Sequence, residues 1–478
     1  MHRDGSTTTT DLHESESEYH DLNILEQIPY HINTQITLCF PVADDSSESH
    51  AAIIRTLTNG LERLFASFPW LAGKVVRVNK GTDPGSSGIL KIQPLEPGIP
   101  HLIVKDLRDG TSMPTMDVLR RADFPMCMLD ENIIAPRKTL FFESASESDP
   151  ATPVFLVQAN FITGGLLLTF DSHHNATDKS GQDQIMRLFS KACCNEQFTS
   201  DELSSGNLPR RDLIPLLDDA QNYTPGPELV RHIVDLAPSH PADAPPPPKC
   251  TWAYFTFPPT ALATLKSRAT ETLTPAAGYI STDDALTAFI WQSATRARLP
   301  RLQSDPTAAP VSTLARAINV RRYLGIPQMY PGAAVNMTYH TYAPQTLIEA
   351  PLGGIAAQLR AAVDPKTSDL GHHTRALATL LYRTQDKNTV SFIAALDFSA
   401  DVVVSSWAQV GCWGLDFGLR LGGAEAVRRP RFEGVEGLVY LMPRAAGGEG
   451  VVAVCLRDED MERLREGAEF GEYARYVG

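Results

Sequence analysis

Residues 244–248 hold four consecutive prolines, just past the middle of a chain of 478 residues. Proline has a fixed φ and no N–H to donate, so such a run fits neither a helix interior nor a central strand. It favours a stiff polyproline II segment without internal hydrogen bonds. The region around it, 208–249, is rich in Pro, Asp and Asn and lacks long periodic segments. It reads as a long crossover between two halves, 22–207 and 250–478. Residues 1–21, rich in Ser, Thr, Asp and Glu at their start, read as a disordered tail. Two halves of this size fit the length, at about 100–200 residues per domain.

Both halves mix helices and strands without a regular βαβ alternation, so the expected class is α+β. In the first half, Ile32–Phe40 and Lys74–Val78 read as strands, and Val154–Phe161 with Gly165–Ser172 as a hairpin. Ala51–Phe65 and Gly181–Ala192 carry apolar residues at helical spacing, and Thr82–Gly88 reads as a loop. In the second half the expected strands are Cys250–Phe257, Ala394–Phe398, Val402–Ser406, Gly437–Pro443 and Val451–Leu456. Helices are expected at Pro258–Thr270, Thr282–Thr295 and Asp458–Arg465.

Composition excludes several function classes. A net charge of −14 repels phosphate backbones, so nucleic acid is not an expected partner. No apolar stretch approaches the roughly 18–20 residues that span a bilayer, so no membrane role is expected. The seven cysteines are scattered without CxxC spacing, against both a zinc site and a disulfide framework. The first residues lack an apolar signal core, which makes the cytoplasm the expected compartment. Gly-x-Ser-x-Gly, the P-loop and a Gly-x-Gly-x-x-Gly after a strand are all missing. Asp416-Phe417-Gly418 echoes a kinase triplet, but no His-Arg-Asp loop accompanies it.

The informative segment is Phe170-Asp-Ser-His-His-Asn-Ala-Thr-Asp-Lys-Ser-Gly181. An apolar strand delivers His173 and His174, and Asp178 follows four residues after the second histidine. Neutral imidazole accepts a proton near pH 7. Asp178 could orient His174, or turn away and fasten the loop to a distant cation. The bland alternatives are a structural histidine pair and a chance HxxxD. A metal reading lacks a third ligand, so no metal is expected.

His174-Asn-Ala-Thr-Asp178, followed about 240 residues later by Asp416-Phe-Gly-Leu419, resembles the HxxxD…DFG pair of the BAHD acyl-CoA-dependent acyltransferases. The order and spacing match. Within that superfamily the likeness runs to the fungal trichothecene 3-O-acetyltransferase branch. Supporting stretches include Val104–Asp109, Asp130–Thr139, Ser281–Trp291, Asn336–His340, Ser405–Ala408 and Leu456–Met461. The resemblance covers roughly residues 22–478.

It implies two domains, each resembling chloramphenicol acetyltransferase, with an active site in a channel between them. His174 would be the general base, with no covalent intermediate. Asp178 would be structural and pair with Arg321, and Asp416 would fix a loop. Ser406 and Trp407 would supply the oxyanion or substrate contact. Ser281, Thr282, Arg428 and Arg429 would meet the coenzyme A phosphates. Acetyl-CoA would be the co-substrate, with no permanent cofactor, and the protein would act as a monomer. The acceptor would be a small hydroxylated metabolite, led by a trichothecene 3-hydroxyl. Alternatives are another terpenoid, alkaloid or polyketide alcohol, a non-catalytic binding relative, or a condensation-domain relative. Asn319 stands where the family usually has Asp, Lys179 where it often has Gly, and Leu419 where plant members have Trp.

Overall fold

The run Asn33–Pro41 is buried along almost its whole length, because its sheet is covered on both faces. In chain order the strands before the crossover are β1 His20–Asp21, β2 Asn33–Pro41, β3 Gly73–Val78, β4 Ile89–Pro94, β5 Leu102–Asp106, β6 Phe155–Ile162 and β7 Gly165–His173. After it come β8 Cys250–Phe257, β9 Ser312–Asn319, β10 Val335–Tyr342 and β11 Val402–Ser406. The last are β12 Ala426–Arg428, β13 Leu438–Leu441, β14 Gly450–Arg457 and β15 Arg475–Tyr476. The computed structural model describes residues 19–78, 87–141, 152–218, 227–234, 248–273, 278–304 and 311–478. Residues 1–18 of the expected tail, 82–86 of the expected loop and prolines 245–247 lie outside the described residues.

Three sheets result, in the orders β1-β4-β3, β12-β2-β7-β6-β5 and β10-β9-β11-β13-β14-β8-β15. Mixed helices and sheets of this kind are the α+β class expected. The hairpin β6–β7 turns at Gly164, whose φ of 77° suits glycine. β7 then pairs antiparallel with β2, setting Asn33 opposite His173. Helices Ser47–Ser67 and Lys179–Cys193 cover this sheet. They approach so closely that a Cβ on Gly60 would stand 2.3 Å from Cys193 Sγ. β12 comes from the second half yet completes the sheet of the first, pairing Val427 with Leu38.

Several expectations shift. The helix expected over Thr282–Thr295 runs on to Ser304, through Pro300. Ala394–Phe398 is not a strand. Asp401 Oδ2 takes the Asp397 N–H at 2.8 Å, and Leu396 and Ala400 close turns onto Ile393 and Asp397. The crossover is not a free linker where it is described. Ile214, Leu217 and Leu229 are buried in one core with Leu25, Tyr330 and Leu377. Arg210 Nη1 meets Glu26 Oε1 at 2.9 Å inside the protein and donates to Ala176 O at 2.8 Å. The crossover is thereby tied to the residue two places after His174.

Candidate active site

The loop after β7 is held rigid by its own polar side chains. Asn175 Nδ2 donates to Glu26 O and Ile28 O at 2.7 and 2.6 Å, and Thr177 Oγ1 donates to Pro331 O at 2.5 Å. The His174 N–H donates to Ile32 O at 3.1 Å. His174 is half-buried, with its ring stacked on Tyr30 at 4.4 Å between centroids. Its Nδ1 is shut in without a hydrogen-bond partner, and its own carbonyl is the acceptor within electrostatic reach. Nε2 is not among the enclosed, unpartnered atoms, so it is the open end of the ring. Burial lowers the pKa of His174 from 6.5 against the upward pull of Asp178, and Arg429 lowers it further. The imidazole is therefore neutral at pH 7.

His173 is different in kind. It is buried, its Nδ1 accepts the Asn175 N–H at 3.3 Å, and burial drives its pKa well below 6.5. Its ring is engaged within the loop that follows it.

Asp178 turns away from His174. Its carboxylate takes Arg321 Nη1 and Nη2 at 2.9 Å each, the Ala334 N–H at 2.8 Å and the Gly181 N–H at 2.8 Å. The last contact caps the helix Lys179–Cys193. Burial pushes its pKa up, but Arg321 and these donors outweigh it and hold it below 3.8. Arg321 is fully buried, and Asn319 Oδ1 accepts from its Nη1 at 3.0 Å. An Asp at 319 is thus not needed for that bond. The pair bridges the two halves right behind the histidine.

Models of two families match the chain: the trichothecene 3-O-acetyltransferase-like N-terminal domain over residues 32–193, and the Transferase family over 129–471. The second spans most of the chain. It belongs to the BAHD acyltransferases. This acyltransferase is 52% identical to an O-acetyltransferase of Cryptosporiopsis sp., dmxR13, covering 96% of this chain and 97% of the other. It is 47% identical to the trichothecene 3-O-acetyltransferase of Fusarium sporotrichioides, covering 96% and 97%. Its fold superposes on F. graminearum TRI101 complexed with coenzyme A and deoxynivalenol with a TM-score of 0.88, at 44% identity over 96% and 100%. Vinorine synthase, at 15% identity and a TM-score of 0.61, shares the fold. The acyltransferase is accordingly a coenzyme A-dependent O-acetyltransferase, with the two-domain fold of that family.

The remaining expected residues of the acyltransferase are placed unevenly. Asp416 Oδ1 accepts the Gly418 N–H at 3.0 Å, and its carbonyl accepts from Ser190 Oγ at 3.1 Å. Phe417 is buried against Phe40, Phe170 and Phe189. The loop is architecture. Trp407 corrects an expectation: its backbone N–H goes to Leu441 O at 2.7 Å and its indole N–H to Ser405 Oγ at 3.0 Å, so neither is left for an oxyanion. Ser406 Oγ donates to Asp283 at 3.0 Å.

The coenzyme A contacts also need correction. Arg428 is 4% exposed and donates to Phe124 O and Asp123 O at 3.0 Å, because β12 carries it into the first half's sheet. Arg429 is 1% exposed, within 5.3 Å of the Phe432, Tyr440 and Trp407 ring centres. Neither guanidinium lies on a surface a phosphate can reach. Ser281 Oγ is committed to Asp284 Oδ2 at 2.7 Å. Thr282 has no such partner among the described residues.

Two residues escaped sequence reading. Tyr30 stacks on the catalytic candidate from 144 positions away, with no local signal. Lys179 was marked only by replacing a glycine. It is half-buried, its Nζ lies 4.4 Å from the Trp407 ring centre, and burial lowers its pKa to about 7. Among the described residues no group of three or more His, Cys, Asp or Glu could hold a metal, and no helix is long and apolar enough to cross a membrane.

Proposed function

We propose that His174 is the general base of an acetyl transfer from acetyl-CoA to a hydroxyl of a small secondary metabolite. The observation that carries this is the division of labour in the HxxxD loop. His174 is neutral and open at Nε2, while Asp178 is consumed by Arg321, Ala334 and Gly181. An aliphatic hydroxyl is a poor nucleophile until its proton leaves. His174 Nε2 takes that proton as the oxygen bonds to the thioester carbonyl carbon. The tetrahedral oxyanion needs a donor. Ser406 is the donor remaining of its pair, and Asp283 keeps Arg316 at 2.8 Å if the hydroxyl turns away. The C–S bond then breaks, and the imidazolium gives its proton to the departing thiolate.

A trichothecene 3-hydroxyl is the first acceptor to test, because the relatives include an enzyme named for it. The experiment is thiol release from acetyl-CoA against a panel of hydroxylated metabolites, with products identified by mass. Transfer that vanishes in His174→Ala, with circular dichroism unchanged, supports the base. Full activity in that variant sinks it.

A further inference from the structure

Lys179 opens the helix Lys179–Cys193, directly after Asp178. Its Nζ donates to Gln182 Oε1 at 2.7 Å. Gln182 is buried and fixed in turn, its Nε2 donating to Thr34 O and Ser172 Oγ at 2.7 and 3.0 Å. From this seat in the first half the amine reaches the second, where it stands 4.4 Å from the centre of the buried Trp407 ring. A cation over an indole face is drawn to the ring's quadrupole, most strongly where water is excluded. Trp407 follows β11 and holds its end: the backbone N–H goes to Leu441 O and the indole N–H to Ser405 Oγ. Ser406, between them, is tied to Asp283 through its own Oγ. Further along the same helix, Asp183 Oδ1 accepts the Gly411 N–H at 3.2 Å and Ser190 Oγ donates to Asp416 O at 3.1 Å. The helix is a rail on which residues 407–416 are laid, and Lys179 makes the contact nearest His174 along the chain. The later contacts do not depend on it, so its replacement does not dismantle the joint.

We propose that Lys179 is a positioning residue for acetyl transfer: by holding Trp407 from the histidine's own half, it sets where Ser406 stands relative to His174. The inference rests on the acetyl-transfer reading and adds to it a residue that acts through Trp407 rather than on the substrate. A glycine at 179 would make no such contact. The charge of Lys179 is set by its surroundings. Burial lowers its pKa to about 7, Asp183 resists the shift, and Arg429, 5.3 Å from the same ring centre, adds to it. Cys412 is also near, but burial pushes its thiol up to about 12 and leaves it neutral. Arg187 is engaged by Asp183 at 3.1 Å, and Asp178 by Arg321. The ammonium is therefore present below about pH 7 and lost above it, and its pull on the indole goes with it.

The test is thiol release from acetyl-CoA by the full chain across about pH 6–9, with a trichothecene bearing a free 3-hydroxyl and with water alone as acceptor. Lys179→Met is expected to lower kcat about tenfold at about pH 6, with KM for acetyl-CoA changed less than about twofold. Lys179→Arg, charged throughout, is expected to keep kcat within about threefold of the wild type. It should also lack the fall in kcat that the wild type shows as pH rises through about 7. If Lys179→Met misfolds by circular dichroism, Lys179→Gln takes its place with the same expectation. Wild-type kcat in the uncharged variant overturns the proposal, as does a Lys179→Arg as slow as Lys179→Met. A change confined to KM also overturns it, by giving the amine to binding of the donor. Tryptophan emission reads the contact without turnover: it should titrate near pH 7 in the wild type and not in Lys179→Met. Emission that does not titrate, with transfer intact, overturns this inference alone. Emission that titrates in a chain that transfers nothing overturns the acetyl-transfer reading and this inference together.

Discussion

The role proposed for His174 rests on what its neighbours withhold. Its Nδ1 has no carboxylate, Asp178 has been drawn off by Arg321, and Tyr30 covers one face. His174→Ala should lower kcat by about 10²–10⁴-fold, the usual worth of a positioned base. Burial depresses the pKa of His174 from its ordinary 6.5. The acid limb of kcat/KM against pH should therefore have its midpoint below 6.5. A midpoint above that value would refute the assignment. Asp178→Ala removes the partner of a fully buried guanidinium and should cost about 3–5 kcal/mol of stability, read from urea unfolding.

At the scale of elements, the start of the helix Lys179–Cys193 is a tight joint against backbone. A Cβ on Gly181 would stand 1.9 Å from Pro331 O, a backbone atom with little room to yield. Gly181→Ala should destabilise by about 1–3 kcal/mol and lower activity, because the same turn holds Asp178. Gly354, in the helix Leu352–Ala361, has open space around it. Gly354→Ala should instead stabilise by about 0.5–1 kcal/mol with activity unchanged, both read from paired melts and assays. The long elements were legible because period and length agree: β2, β6, β7 and the helix Ser47–Ser67 all appear close to where alternation and spacing set them. Ala394–Phe398 misled because five residues of mixed polarity fit a strand as well as a series of turns fixed by Asp397 and Asp401. β12 was invisible, since Ala-Val-Arg has no period to detect and its partner lies nearly 400 residues earlier. The histidine and Asp178 were legible as a motif. The Tyr30 stack and the Arg210–Glu26 pair were not, because nothing local records a contact made across so much chain.

For the whole molecule, stability is tied to the joint between the halves and to histidines buried there. His232 has a folded pKa of about 4, against about 6.5 when exposed. Between those values the unfolded chain binds a proton that the folded chain refuses. Stability should therefore fall as pH drops from about 6.5 towards 4, by up to about 3 kcal/mol from this residue. Urea midpoints at pH 7 and pH 5 measure it, and His232→Gln should flatten the difference.

The borrowed strand β12 sets a timetable for synthesis. Once β7 has left the ribosome, about 250 more residues must be made before Ala426–Arg428 can close the open side of β2. At ordinary elongation rates of about 5–20 residues per second that is on the order of 10–50 s. Throughout that interval a nearly finished sheet presents a bare, apolar edge, the kind of surface on which nascent chains clump. The exposure is written into chain order rather than into any weakness of the finished core. A circular permutation that places Ala426–Arg428 ahead of β2 in the chain would shorten it while keeping the pairing of β12 with β2.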